Sequence, residues 1–478
     1  MEMKDGKKAK KEMGKRVRSE TDEIGNLSAP GKHPEENRPE KKRTAGKWLQ
    51  RLCGWALLCL AAPALTLVFL LAVSRITREL ILDHVQESIE WLTERGADVY
   101  FWNGNDRGTA GDYYIDGQWL DIALYLDEGE PVETVVDCPY YLNENGDMYV
   151  SLTELAEENG EISPNTSYAR YWNGSAGMLR LLLLFWDLQG IFRFQSVVGL
   201  ALLAVLSLLL WRKGEVCFLI ALLAALWCTN AGMISANAFC APSFLIMAGV
   251  MILVLLKEDA RLAPLFLISG SLTACFENLC AETLTISMPL LLAMVLARRR
   301  GELLHARQFF RYAIRSCLLW GAGYLSAFLA KWALSLLVLG PDSLREVAES
   351  AEYRLFLDGS DTLGWLLGGI LSPFTYLRPF SFTETWGQLI VALLAVALPV
   401  FCLLYLFGKR DASCTPASLF LIPAMIPILR FVVLYAHTYG HRYAVYRALL
   451  VLVVSLLCLF LESLRLPSGR RLNRKTGR

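Results

Sequence analysis

The stretch LRFVVLYAHTYGHRYAVYRALLVLVVSLLCLFLE, residues 429–462, sets three arginines and two histidines between two hydrocarbon-like runs. An ionisable side chain at the bilayer centre costs about 2.5–3.5 kcal/mol on insertion scales. Arg430, His437, His441, Arg442 and Arg447 therefore read as a turn at the membrane boundary with the ends of its two helices around it. Their shared location suggests a polar pocket.

Working outward, the whole chain has the same character. Of 478 residues, 54% are hydrophobic and 19% charged, and the mean hydropathy is positive. That balance excludes an ordinary soluble enzyme and points to a polytopic membrane protein. The net charge of +1 hides a segregation. Residues 1–47 carry fourteen Lys/Arg against nine Asp/Glu, residues 75–170 carry five against twenty-one, and six basic residues with no acid follow Glu462.

Apolar runs of spanning length number ten, centred on 53–74, 193–211, 215–233, 238–256, 262–280, 283–297, 315–338, 387–408, 415–435 and 444–462. The connections WRKGE (211–215), KEDAR (257–261), ARRRGELLHARQFFRYAIR (297–315) and GKRD (408–411) are basic, as are both tails. The acidic 75–170 segment and residues 341–361 fall on the opposite side. The positive-inside rule then places both termini in the cytoplasm of a cell-membrane protein.

The chain divides accordingly: a disordered basic tail (1–47), a first membrane helix (48–74), an extracytoplasmic α+β domain (75–177) and an interfacial helix (178–190). Membrane helices two to seven (191–338), an outer loop with a second interfacial helix (339–386), helices eight to ten (387–462) and a basic tail (463–478) follow. Within 75–177, RELILDHVQESIEWLTERGA has helical apolar spacing and predicts an amphipathic helix leaving the first span. Residues 121–155 alternate short β-prone runs with the hairpin-type turn NENGD. Arg180 and Arg378, on the interfacial helices, are expected at headgroup level.

The embedded charges share one leaflet. Glu277 and Glu282 flank an outer turn, Lys331 lies in the outer half of its span, Arg430 ends the ninth span, and His437, His441 and Arg442 fill the loop after it. Arginine and lysine in that arrangement supply donors for a phosphate or pyrophosphate headgroup, and the two glutamates either pair with them or act as base. Arg193 and Arg447, near span ends, read as snorkelling anchors. Asp112, Asp116 and Asp121 sit among aromatics in GDYYIDGQWLDIALYLDEGE, where a carboxylate near the membrane suits deprotonation of an acceptor hydroxyl.

Neither a Walker loop nor a strand-linked GxGxxG occurs, and no CxxC pair has metal spacing. No cofactor, metal or nucleic acid enters this reading. Ten of the twelve cysteines lie in or beside apolar runs; Cys138, alone in the acidic segment, reads as a small buried apolar residue.

The tracts IDGQWLDIALYL, YARYWNGSAGMLRLLLLFWDLQGIFRFQSVVGLALL, LFLISGSLTACFENL, LWGAGYLSAFLAKWALS and HTYGHRYAVYRALL resemble segments of multi-pass proteins of gut Firmicutes. Those proteins are themselves similar to the GT-C glycosyltransferases. The resemblance implies a GT-C-like membrane bundle, a polyprenyl-phosphate-linked sugar as donor, Asp116 as catalytic base and Asp121 as second choice. Arg170, Glu277, Glu282, Lys331, Arg430, His437, His441 and Arg442 would then hold the donor. Asn173 stands in ARYWNG where relatives are expected to carry histidine. A transporter or lipid flippase, and a non-catalytic scaffold or sensor, are the competing functions.

Overall fold

The computed structural model describes residues 40–95, 113–158, 160–231, 237–257, 262–303, 305–355, 362–378 and 417–464. Residues 54–478 form one compact unit, and α1 (Glu40–Val73) begins ahead of it. Helix α1 begins inside the tail expected to stay disordered through residue 47, while residues 1–39 lie outside the described residues.

Every regular element described is helical, where an α+β domain was expected in the acidic segment. That segment holds α2 (Leu82–Arg95), α3 (Tyr113–Tyr125), α4 (Pro131–Asp137) and α5 (Met148–Glu157), and its one strand-like feature among the described residues is the isolated bridge Tyr140–Thr166. Helix α2 is the amphipathic helix its spacing predicts: Ile81 just ahead of it and Val85, Ile89 and Leu92 within it are buried every third or fourth residue along one side.

The expected strands fail for two local reasons. Asp147, the last residue of NENGD, caps α5 by accepting the N–H groups of Tyr149 (2.9 Å) and Val150 (3.3 Å), so the turn starts a helix instead of a hairpin. In PVETVVD, Thr134, Val135 and Val136 are buried together on one turn of helix, and that packing overrides their β propensity.

Helix α6 (Gly174–Leu182) overlaps the place of the first interfacial helix, and the stretch expected to hold membrane helices two to seven follows as α7 (Leu188–Arg212), α8 (Val216–Cys228), α9 (Ala241–Leu256), α10 (Ala263–Phe276), α11 (Leu284–Arg299) and α12 (Ala306–Leu339). Beyond them come α13 (Asp342–Leu355), α14 (Thr362–Leu371), α15 (Leu421–Val433), α16 (Tyr435–Gly440), α17 (Arg442–Val445) and α18 (Leu450–Leu464). The expected eighth span, 387–408, lies outside the described residues. Among the described residues, four helical stretches are long and apolar enough to cross a membrane: Cys53–Val73, Leu188–Arg212, Ala306–Leu339 and Arg442–Leu461. Helices α8, α9, α10 and α15 are apolar but only 13–16 residues long, roughly 20–24 Å at ~1.5 Å per residue against a ~30 Å hydrocarbon layer.

Helix α11 is the centre of the bundle. All but three of its sixteen residues are buried, as an all-round apolar helix requires. The acidic segment docks on α12 through side chains that donate to backbone carbonyls. Trp172 reaches Ala327 (2.8 Å), Trp332 reaches Arg170 (3.2 Å), Ser335 reaches Ala169 (3.3 Å) and Lys331 reaches Val136 (2.5 Å).

Helices α10 and α12 cross backbone to backbone at two glycines: a Cβ on Gly270 would overlap the Trp320 carbonyl, and one on Gly323 the Leu267 carbonyl. Gly323→Ala should therefore destabilise the chain by about 1–3 kcal/mol. Gly321→Ala, two residues away with open space around its Cβ position, should be neutral or slightly stabilising, as thermal unfolding in detergent will read.

Candidate functional site

The site builds from the turn between α10 and α11. Leu279 there adopts φ 63°, a strained left-handed conformation for a branched side chain. The Glu277 carboxylate holds it, accepting the N–H groups of Leu279 (2.8 Å), Cys280 (2.7 Å) and Ala281 (2.7 Å) and the Ser243 hydroxyl (2.9 Å). Glu277 is thus fully occupied in shaping the turn.

Glu282, five residues on, pairs with Arg430 of α15 at 2.8 Å, both almost fully buried. Arg430 spends its remaining donors on Thr438 Oγ1 (2.7 Å), the Leu279 carbonyl (2.7 Å) and Nδ1 of His437 (3.1 Å). The His437 and His441 rings lie 4.6 Å apart, tilted by 34°. Glu282 keeps Oε2 buried with no hydrogen-bond partner among the described residues.

Beside this cluster is a cavity of about 280 Å³ between α12 and α13. Leu279 and Leu434 close it against the ion pair; Tyr171, Tyr324, Phe328 and Trp332 form its aromatic wall; Arg170 and Arg354 also line it, and the surface it presents is almost wholly apolar. Arg170 pairs with Glu346 (2.6 Å) and lies 4.0 Å over the Tyr168 ring. Arg354 lies 5.4 Å over Tyr171 and donates to Ser350, and has no carboxylate partner among the described residues. The Tyr324 hydroxyl is buried and unpartnered among the described residues, within electrostatic reach of Glu282, Glu277, Tyr171 and Arg430.

Other residues singled out by the sequence lie elsewhere. Lys331 is fully buried, 5.8 Å from the Trp172 ring as well as on the Val136 carbonyl, so it fastens α4 to α12. Asp116 is fully buried, accepting the Phe239 N–H (2.9 Å) and the Asn237 side-chain amide, and so ties α3 to the start of α9. Asp121 accepts the Tyr141 N–H (3.1 Å) with its other oxygen unpartnered among the described residues. Neither aspartate lines the cavity. Arg442 turns back onto the Tyr439 carbonyl (2.8 Å) and ring (4.7 Å). Asn173 takes a left-handed φ of 53° ahead of α6, and its amide donates to the Tyr168 carbonyl (3.1 Å).

Two arginines differ from expectation. Arg180, placed at headgroup level by its sequence position, is completely buried, pairing with Asp127 (2.8 Å) and donating to the Ala123, Leu124 and Ile76 carbonyls. Arg447, read as a snorkelling anchor, is 3% exposed and donates to the Tyr443 carbonyl (3.0 Å). Both are interior because folding supplies carbonyls where water was assumed. Arg354 and Tyr324 escaped the sequence reading. Residues 341–361 passed as an acidic loop, although Val347, Ala351, Arg354 and Leu355 repeat at helical spacing and line the cavity from one face of α13.

Removing one partner of the buried Glu282–Arg430 pair leaves an uncompensated charge. Arg430→Met should cost about 3–5 kcal/mol of stability, and adding Glu282→Leu should restore most of it, as paired thermal-unfolding measurements will show.

Burial holds the Asp121 carboxyl well above its ordinary value of 3.8, against the lowering influence of the Tyr141 N–H. As pH rises past that ordinary value the unfolded chain releases a proton that the folded chain retains, so stability from this group falls with rising pH. Asp121→Asn keeps an acceptor for Tyr141 and cannot titrate. Its unfolding midpoint should exceed that of the parent at pH 7, with the gap closing toward pH 3.

The chain matches no protein-family model, no curated protein and no solved structure.

Proposed function

We propose that this chain is an integral cell-membrane protein, crossing ten times with both ends cytoplasmic, that moves a sugar from a polyprenyl-phosphate donor to an acceptor hydroxyl. The reaction runs on the face covered by the acidic segment. The observation that supports this reading is the cavity: a largely apolar, aromatic-walled hollow suited to an isoprenoid tail, with Arg170, paired to Glu346, and Arg354 among its lining residues as the cations a phosphate would engage.

In this reading Arg354 and Arg170 hold the lipid phosphate and stabilise the charge it gains as the sugar–oxygen bond breaks. The acceptor oxygen bonds to the sugar, and its proton passes to a carboxylate. We assign that step to Glu282, whose buried Oε2 has no hydrogen-bond partner among the described residues and which lies behind Leu279 and Leu434, so that the proton must pass this wall. Asp116 and Asp121, the acids favoured by resemblance, serve here to position the acidic segment.

A second reading, a carrier for the same lipid without chemistry, draws on Pro289 inside α11 and Pro427 inside α15, which interrupt helices near the site.

Purified full-length protein titrated with a short-chain polyprenyl monophosphate should show saturable quenching of tryptophan fluorescence. Arg354→Gln should weaken binding roughly tenfold or more, the ~1.5–3 kcal/mol of a charge-assisted hydrogen bond. Absence of saturable binding removes the ligand. Binding together with lipid counterflow in proteoliposomes, and no glycosylated product, selects the carrier.

A further inference from the structure

Two cysteines that the sequence dispersed among apolar runs meet in the structure. Cys240 stands at the start of α9 and Cys280 in the turn before α11, forty residues apart, with their sulfurs 2.8 Å from each other. That separation lies well inside ordinary non-bonded contact and outside the ~2.05 Å of a bond.

Both backbones are held where they are. The Cys240 N–H donates to Asn237 Oδ1 (3.0 Å) and the Cys280 N–H to Glu277 Oε1 (2.7 Å). The Ser243 hydroxyl bridges from α9 to the same Glu277 oxygen (2.9 Å), so the two hooks share an anchor. The thiols are 3% and 1% exposed, and no metal-ligating group of three or more His, Cys, Asp or Glu occurs among the described residues.

We propose that Cys240 and Cys280 are joined as a disulfide that staples the start of α9 to the α10–α11 turn. The positive-inside reading puts both on the exported side, where thiol oxidation persists. A protein or small-molecule disulfide is the oxidant: the thiolate of one cysteine attacks it to form a mixed disulfide, and the second thiol displaces the carrier. The two cysteines lose two protons and two electrons, and the oxidant leaves as two thiols. With so little exposure in the folded chain, the bond forms before α9 and α11 close over it.

The staple braces two neighbouring features at once. It fixes the turn carrying Leu279, which borders the cavity, and it stands next to Phe239, whose N–H holds Asp116. The proposal is independent of the ligand assigned to the cavity.

Full-length protein taken from membranes, denatured in N-ethylmaleimide without reductant and digested, provides the test. The Cys240 and Cys280 peptides should appear as one linked species, two hydrogens lighter than their sum, while Cys138 and Cys275 in the same sample carry maleimide. Maleimide on both Cys240 and Cys280 overturns the proposal. In detergent, reductant should lower the unfolding midpoint of the parent and leave Cys240→Ser unchanged; a parent midpoint indifferent to reductant also overturns it.

Discussion

A cation inside an apolar bundle persists only when its donors find acceptors, and Arg180, Lys331 and Arg430 each meet that demand by joining separate elements of this protein. Arg180 gathers Asp127 and the carbonyls of Ile76, Ala123 and Leu124, so the exits of α1 and α3 meet at one guanidinium. Lys331 takes the carbonyl near the end of α4 and fastens the acidic segment to α12. Arg430 joins Glu282, the strained Leu279 turn and the α15–α16 corner. Each contact replaces hydration that the interior denies, so each is a place where the fold tolerates little substitution. The acidic segment is thereby part of the membrane domain's core and no separate module.

The cavity follows from the same economy. Arg170 pairs with Glu346 while stacking on Tyr168, whereas Arg354 faces Tyr171 with no carboxylate partner among the described residues. Aromatic faces stabilise a guanidinium without neutralising it, which leaves charge available to an anion. The apolar wall with two arginines among its lining residues is compatible with the amphiphilic donor proposed above. A soluble phosphate would gain nothing from Phe328 and Trp332, and an uncharged lipid would gain nothing from the arginines.

Periodicity made α2 legible in advance, because Ile81, Val85, Ile89 and Leu92 report burial directly. The chain's membrane character was equally plain. Apolar runs are a poorer guide to helix length, since turn residues such as Leu279 and Leu434 are as apolar as their neighbours and blur the ends. In the acidic segment, β-branched residues suggested strands that burial against α12 turned into helix. The charged residues were identifiable, but not their partners: Glu282 and Arg430 stand 148 positions apart, and composition carries no record of such pairing. Hence the sequence grouped Lys331 with the arginines, although its ammonium serves α4, and passed over Arg354, whose surroundings exist only after α13 folds.

The bond from Lys331 to the Val136 carbonyl joins positions 195 apart, which sets a schedule for biosynthesis. At ~5–20 residues per second, about 10–40 s separate the emergence of one partner from that of the other. Throughout that interval Thr134, Val135 and Val136 lack α12, one of the elements that seal them in the finished molecule. A pause in synthesis between the two positions lengthens the time for which α4 waits for its lysine.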